Sequence, residues 1–79
     1  MRILKFYREF CGPCKVLESN FKSLNIKTID IDAETNIDLV EEYNIQSVPT
    51  IIMIDKDEKE IKRHSGLLSI NDLKEFCNI

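Results

Sequence analysis

Residues 10 to 15 read Phe-Cys-Gly-Pro-Cys-Lys, so two cysteines are separated by a glycine and a proline and followed by a lysine. Such a pair can act as a redox couple, as half of a metal site, or as a structural bridge. Redox chemistry needs a thiolate, and free thiols ionise only near ~8.5. At the start of a helix, unpaired backbone N–H groups and the helix dipole stabilise negative charge. Cys11 stands just before a run of helical period, and Lys15 adds a positive charge nearby; settings of this kind bring thiols into the range ~3.5–7.5. Cys14, three residues on, is expected on the same face and within reach of the Cys11 sulfur. The spacing predicts an exposed nucleophile, Cys11, and a buried resolving partner, Cys14, within one helical turn. Cys11 would attack a target disulfide, and Cys14 would then attack the mixed disulfide and release the reduced target. Gly12 and Pro13 hold the two sulfurs at closing distance.

The competing uses fit less well. A bridge between Cys11 and Cys14 closes so short a loop that it restrains the unfolded chain little. Zinc would need two further ligands, and His64 and Cys77 lack a usual zinc spacing; no metal site is expected. Cys77, the third cysteine, falls on an apolar helical face and is read as a small core residue. An odd cysteine count suits a reducing compartment better than a set of secreted staples. His64 is read as a surface residue of an outer strand and Met53 as core.

These residues need elements to position them. Residues 3–7 (ILKFY) read as a buried strand. From Cys14 the apolar positions Leu17, Phe21 and Leu24 recur every three or four residues, the stripe of a helix, and Pro13 falls in its first turn, where a missing N–H costs nothing. Residues 26–32 (IKTIDID) alternate as a second strand. Thr35 and Asp38 resemble a capping box, with Ile37, Val40 and Tyr43 following on one side and Asn44 as a left-handed stop. Residues 50–54 (TIIMI) form the most apolar and most central strand. A polar turn over 55–60 leads to an outer strand over 61–65, and Ser69 and Asp72 cap a last helix that carries Ile70, Leu73, Phe76 and Cys77. The order βαβαββα requires a right-handed parallel crossover first and an antiparallel hairpin later. The expected fold is therefore α/β: a mixed sheet of about four strands with helices on both faces, in a single domain over residues 1–79.

Composition excludes several classes. The 79 residues suffice for one modest core, burying roughly 60% of the unfolded surface, and 43% of them are hydrophobic. No apolar run approaches the ~18–20 residues of a membrane span, and the N-terminus shows no leader pattern. With 11 basic and 14 acidic residues, the net charge is −3 and both signs are mixed along the chain. No basic face for nucleic acid and no basic amphipathic helix for a membrane surface emerges. A cytoplasmic, monomeric protein is expected.

The segment FYREFCGPCK, with VPT at 48–50 and SGLLSINDLKEF at 65–76, resembles the thioredoxin family across nearly the whole chain. That resemblance implies a protein-disulfide reductase without a bound cofactor, recharged by a thioredoxin reductase-type donor that draws on NADPH. It implies a cis Pro49 facing the disulfide, and substrate contact through Val48, Thr50 and Gly66; Phe10, beside Cys11, is a further candidate for substrate contact. A glutaredoxin-like enzyme recharged by glutathione is the nearest alternative. Against it stand Gly-Pro in place of Pro-Tyr and the lack of a double glycine. A non-enzymatic binding module on the same fold is the alternative from another class. The chain is a minimal, N-terminally shortened form relative to usual family members, and it departs from them at three positions. Phe10 replaces a usual tryptophan, Lys5 a buried aspartate that assists proton transfer, and Thr28 the lysine that partners it. Lys5 either pairs with Asp30 in the interior, favouring a Cys14 thiolate, or extends its amine to solvent; the second is the expectation taken here.

Overall fold

A computed structural model describes all residues, 1–79. In chain order the elements are β1 (Arg2–Tyr7), α1 (Gly12–Ser23), β2 (Ile29–Asp32), α2 (Ile37–Glu42), β3 (Thr50–Ile54), β4 (Glu60–Ser65) and α3 (Ile70–Cys77). The sheet runs β2-β1-β3-β4. β1 and β2 are parallel, as a strand–helix–strand crossover demands, and the other two pairings are antiparallel. The expected element order and mixed four-stranded sheet are both present.

The two inner strands are covered on both faces, which is why their sequences are apolar almost throughout. Ile3, Ile51 and Met53 pack against Leu17 and Phe21 of α1 and Leu73 of α3, closed at one side by Leu68. Leu4, Phe6, Ile31, Ile52 and Ile54 face the other way, toward Leu39, Val40 and Tyr43 of the α2 segment. Fully burying each large side chain of this kind stabilises by about 1.5–3 kcal/mol. Edge strand β4 is mostly exposed and carries Glu60, Lys62 and Arg63, charges that discourage pairing with another chain. Arg63 donates to both Glu60 carboxylate oxygens and to the Tyr43 carbonyl, tying β4 to the end of α2.

All three helices stop in the same way. Asn25, Asn44 and Asn78 adopt left-handed φ values of 57°, 53° and 61°. In each case the next residue's N–H reaches back to a carbonyl five residues earlier: Ile26 to Phe21, Ile45 to Val40, and Ile79 to Lys74. This is the Schellman arrangement. With two glycines in the chain, asparagine supplies the left-handed residue each time, since its short polar side chain tolerates that conformation.

Two expectations are corrected. The second strand covers only Ile29–Asp32 and not residues 26–32. Residues 25 and 26 are used to close α1, and Ile26 packs against the α1/α3 core. The start of α2 is not a Thr35–Asp38 capping box. Its first flanking residue is Asn36, which makes no side-chain cap. Asp32 organises the approach instead: its carboxylate accepts the Glu34 N–H at 2.8 Å and its carbonyl accepts from Asn36. The helix therefore begins later, and Ile37 points out at 54% exposure while Leu39, Val40 and Tyr43 turn inward.

Candidate active site

β1 ends at Tyr7 and the chain turns through Arg8, Glu9 and Phe10 into α1. Phe10 takes a left-handed φ of 59° and is 85% exposed. Cys11 follows as the N-cap of α1, with Gly12 and Pro13 as the first helical residues. Its sulfur accepts the N–H of Cys14 at 3.2 Å, so it occupies the place where a serine or aspartate oxygen would normally satisfy a free helix-start N–H. The first turn contains no acidic residue, and nothing there opposes the positive end of the helix.

Cys11 and Cys14 are joined as a disulfide, with Cα atoms 5.2 Å apart. Cys14 is buried, as its place on the Leu17–Phe21 stripe predicts. Cys11 is buried too, at 5% exposure, which corrects the expectation of an exposed sulfur. The bonded sulfur is turned toward Cys14 and its N–H, so Gly12, Pro13 and Lys15 form the exposed rim instead.

The register of the sheet brings a second group of residues to this end of the molecule. Thr50 lies opposite Phe6 of β1 and opposite Ser65 of β4. Pro49 and Gly66 therefore sit at the same end of the sheet as the loop that carries Cys11. The Val48–Pro49 peptide bond is cis. The Gly66 N–H donates to the Pro49 carbonyl at 2.8 Å. Gly66 has φ 103°, a conformation that side-chain-bearing residues rarely adopt, and His64 is the nearest obstacle to an added Cβ, at 4.0 Å. Conformation rather than space requires glycine there. Val48 is half-buried and packs on the α2 side of the sheet.

Thr50 corrects another expectation. It is 1% exposed, and its hydroxyl donates to the Ser47 carbonyl at 2.7 Å and pairs with Ser65 Oγ at 3.2 Å. The side chain braces the turn before β3 and presents no surface to a substrate.

Lys5 is the largest departure. It does not extend to solvent: its side chain is 5% exposed and its Nζ lies 3.4 Å from Asp30 Oδ1. Because β1 and β2 run parallel with Lys5 opposite Asp30, the two side chains leave the sheet on the same face. Thr28 Oγ1 donates to the same Asp30 oxygen at 2.6 Å, and the Lys5 ammonium lies 5.6 Å from the centre of the Phe21 ring. Lys5, Asp30 and Cys14 together line a cavity of about 250 Å³, bounded outward by Phe10, Lys15 and Glu18.

Sequence reasoning missed one brace of the site. Asn20 Nδ2 donates to the Leu68 carbonyl at 2.9 Å, tying α1 to the loop that carries Gly66; no local spacing signals a contact across 48 residues. His64 and Cys77 do not join the cysteine pair, and no group of three or more His, Cys, Asp or Glu side chains comes together as metal ligands. Cys77 is half-buried against the α1/α3 core, and burial pushes its thiol above the ordinary range, partly opposed by Lys62.

A family model described as Thioredoxin matches residues 1–78. A thioredoxin of Chlamydia trachomatis is 33% identical over 70 residues, spanning 82% of this chain and 68% of the relative. One from Mycoplasmoides gallisepticum is 31% identical over 79 residues, spanning 94% and 78%. Among solved structures, a mutant thioredoxin from Halobacterium salinarum superposes with a TM-score of 0.80 at 29% identity, covering 94% of this chain and 68% of that one.

Proposed function

Because the chain belongs to the thioredoxin family and is a thiol–disulfide oxidoreductase, we propose that Cys11 is its nucleophile and Cys14 its resolving thiol. The observation that carries this assignment is the disulfide at the start of α1, with the Cys11 sulfur receiving a helix-start N–H. A donor that hydrogen-bonds a thiolate favours that charged form. In the reduced enzyme the Cys11 thiolate attacks one sulfur of a target disulfide. A bond forms between them, and the other target sulfur leaves with the electron pair. Cys14, after losing its proton, attacks the Cys11 sulfur and expels the second target sulfur, which takes up a proton. Two electrons have passed to the target, and the enzyme is left with the bridge seen here.

The remaining roles follow from placement. Gly12 and Pro13 shape the first turn, and Lys15 contributes positive charge on its rim. Phe10, with 85% of its surface exposed beside Cys11, is the apolar contact offered to a substrate. Cis Pro49, Val48 and Gly66 line the facing wall, where an extended target segment lies across the sheet end. Residues 1–79 act as one domain and as a monomer in the cytoplasm. The substrates are disulfide-containing proteins. The enzyme binds no cofactor and is recharged by a thioredoxin reductase-type donor that uses NADPH.

The test is turnover of a protein disulfide by wild type and Cys11→Ser, first with dithiothreitol and then with either donor system. The expected result is acceleration by wild type that vanishes in Cys11→Ser, and recharging by the NADPH-linked reductase in preference to glutathione. Acceleration retained by Cys11→Ser would overturn the assignment, and preference for glutathione would move the donor to the glutaredoxin type.

A further inference from the structure

The resolving step makes a demand that Cys11 does not meet. Cys14 must become a thiolate in order to attack, yet it is 5% exposed, and burial disfavours the charged form of a thiol. Some group must offset that cost at the Cys14 end of the bridge. The charged and titratable groups facing this space come from three elements. β1 and the loop after it supply Lys5, Tyr7, Arg8 and Glu9, α1 supplies Lys15 and Glu18, and β2 supplies Asp30.

Most of these act weakly on a buried sulfur. Arg8, Glu9 and Lys15 are exposed, so water and salt screen them. Glu18 is turned to a partner of its own, Lys22, at 3.8 Å. Lys5 differs in kind: its side chain is 5% exposed, while its Asp30 partner is 44% exposed. The carboxylate is thus partly hydrated and the ammonium is not. Thr28 and Lys5 both hold Asp30 Oδ1, which fixes the carboxylate at the β2 side and leaves the inner side of the ammonium toward Phe21 and the cavity shared with Cys14.

We propose that Lys5, held in place by Asp30 and Thr28, is the positioning residue for resolution: its buried positive charge favours the Cys14 thiolate that attacks the mixed disulfide. In that step Cys14 gives its proton to solvent through the open side of the cavity. The thiolate then bonds to the Cys11 sulfur, and the Cys11–target bond breaks with its electron pair on the target sulfur. No proton passes to Lys5, which acts through its charge alone. The inference rests on Cys14 being the resolving thiol and assigns what tunes it.

The test uses Cys11→Ser/Cys77→Ala protein, in which Cys14 is the sole thiol, and follows its ionisation by ultraviolet thiolate absorbance against pH. Lys5→Met in that background is expected to raise the midpoint by about one unit, the lower end of what a close charge contributes. Lys5→Met/Asp30→Asn should raise it less, because no carboxylate is left to repel the thiolate. Lys5→Arg, which keeps the charge, should restore the parent midpoint. In the protein with both active-site cysteines, Lys5→Met should slow release of the target from the mixed disulfide about tenfold at neutral pH, the kinetic equivalent of one unit. Coincident midpoints for parent, Lys5→Met and the double variant, in folded protein by circular dichroism, would overturn the inference. Such a result would leave the roles of Cys11 and Cys14 standing if Cys11→Ser still abolishes turnover. The double variant keeps the test decisive if Lys5→Met alone fails to fold, since it removes both members of the ion pair.

Discussion

On the α1/α3 face of the sheet, Lys5 lies 5.6 Å from the Phe21 ring and shares a cavity with Cys14, while Lys62 lies 4.8 Å from the Phe76 ring and acts on Cys77. The same three residue types thus occur twice on one face, in opposite settings. Lys5 is buried and paired with a carboxylate, whereas Lys62 lies on exposed edge strand β4. Cys14 sits in the first turn of α1, and Cys77 is the last residue of α3. A helix presents partial positive charge at its start and partial negative charge at its end, so the backbone favours a thiolate at one cysteine and opposes it at the other. Burial pushes the Cys77 thiol up in spite of Lys62. Residue type is the same in both places; helix polarity and burial of the lysine are what differ between the two cysteines.

The largest contrast is in the cysteines themselves. Cys14→Ser should accumulate a mixed disulfide between Cys11 and the target, visible as a reductant-sensitive band on a non-reducing gel, while turnover falls to the background set by the reductant. Cys77→Ser should trap nothing and turn over like wild type. Trapping that required Cys77 would dissolve the comparison, because the α3 cysteine would then be part of the redox chemistry.

Next come the two rings. Phe21 is 2% exposed at the centre of the α1/α3 core, and Phe76 packs against its margin. Phe21→Ala should cost about 3–5 kcal/mol, the usual range for a buried phenylalanine, read as a lower urea midpoint. For a domain whose whole stability is of order 5–15 kcal/mol, that is a large part of the total. Phe76→Ala should cost less than half as much. Equal losses would mean that the Cys77 end is as firmly packed as the Cys14 end.

A smaller effect separates the helix starts. Ser69 Oγ accepts the Asp72 N–H at 3.1 Å, and Ser69→Ala should lower stability by about 1 kcal/mol. At α1 the matching acceptor is the Cys11 sulfur, so the atom that caps the helix is also the one proposed as nucleophile.

Much of this was legible in the chain. The Leu17–Phe21 stripe, Pro13 in the first turn, Ser69 before Asp72 and Asn44 as a stop are all local signals, and each survives folding. What was not legible depends on partners far away in sequence. Lys5 had two open readings, and Asp30, brought opposite it by the parallel β1–β2 register, selects the buried one. Thr50 looked available to a substrate until Ser47 and Ser65 claimed its hydroxyl. At the α2 start no Thr35–Asp38 box forms, and Asp32 holds the approach through Glu34 and Asn36 instead. Asn25 and Asn78 close helices as Asn44 does, each directly after the last apolar position of its helix, Leu24 and Cys77, so the local signal used at Asn44 was present at all three. The exposed Cys11 sulfur was an inference from a free thiol, and the disulfide turns it inward.

The smallest expected effect is also the sharpest separation of the two lysines. With its thiol held above the ordinary range, Cys77 should react slowly with iodoacetamide at neutral pH and faster as pH rises, because only the thiolate is alkylated. Lys62 opposes the upward push. Lys62→Met should therefore raise the midpoint further and slow alkylation at a fixed pH by about 1.5- to 5-fold, the range of an exposed charge pair worth 0.2–1 kcal/mol. That difference should shrink in high salt, since a solvated ammonium is screened over a Debye length of ~10 Å or less. The effect of Lys5→Met on Cys14 should fade less under the same salt, because both side chains are about 5% exposed and buried pairs are screened less than solvated ones. If both effects faded together, Lys5 would act through solvent as Lys62 does, and the difference drawn between the two ends of this face would reduce to helix polarity alone.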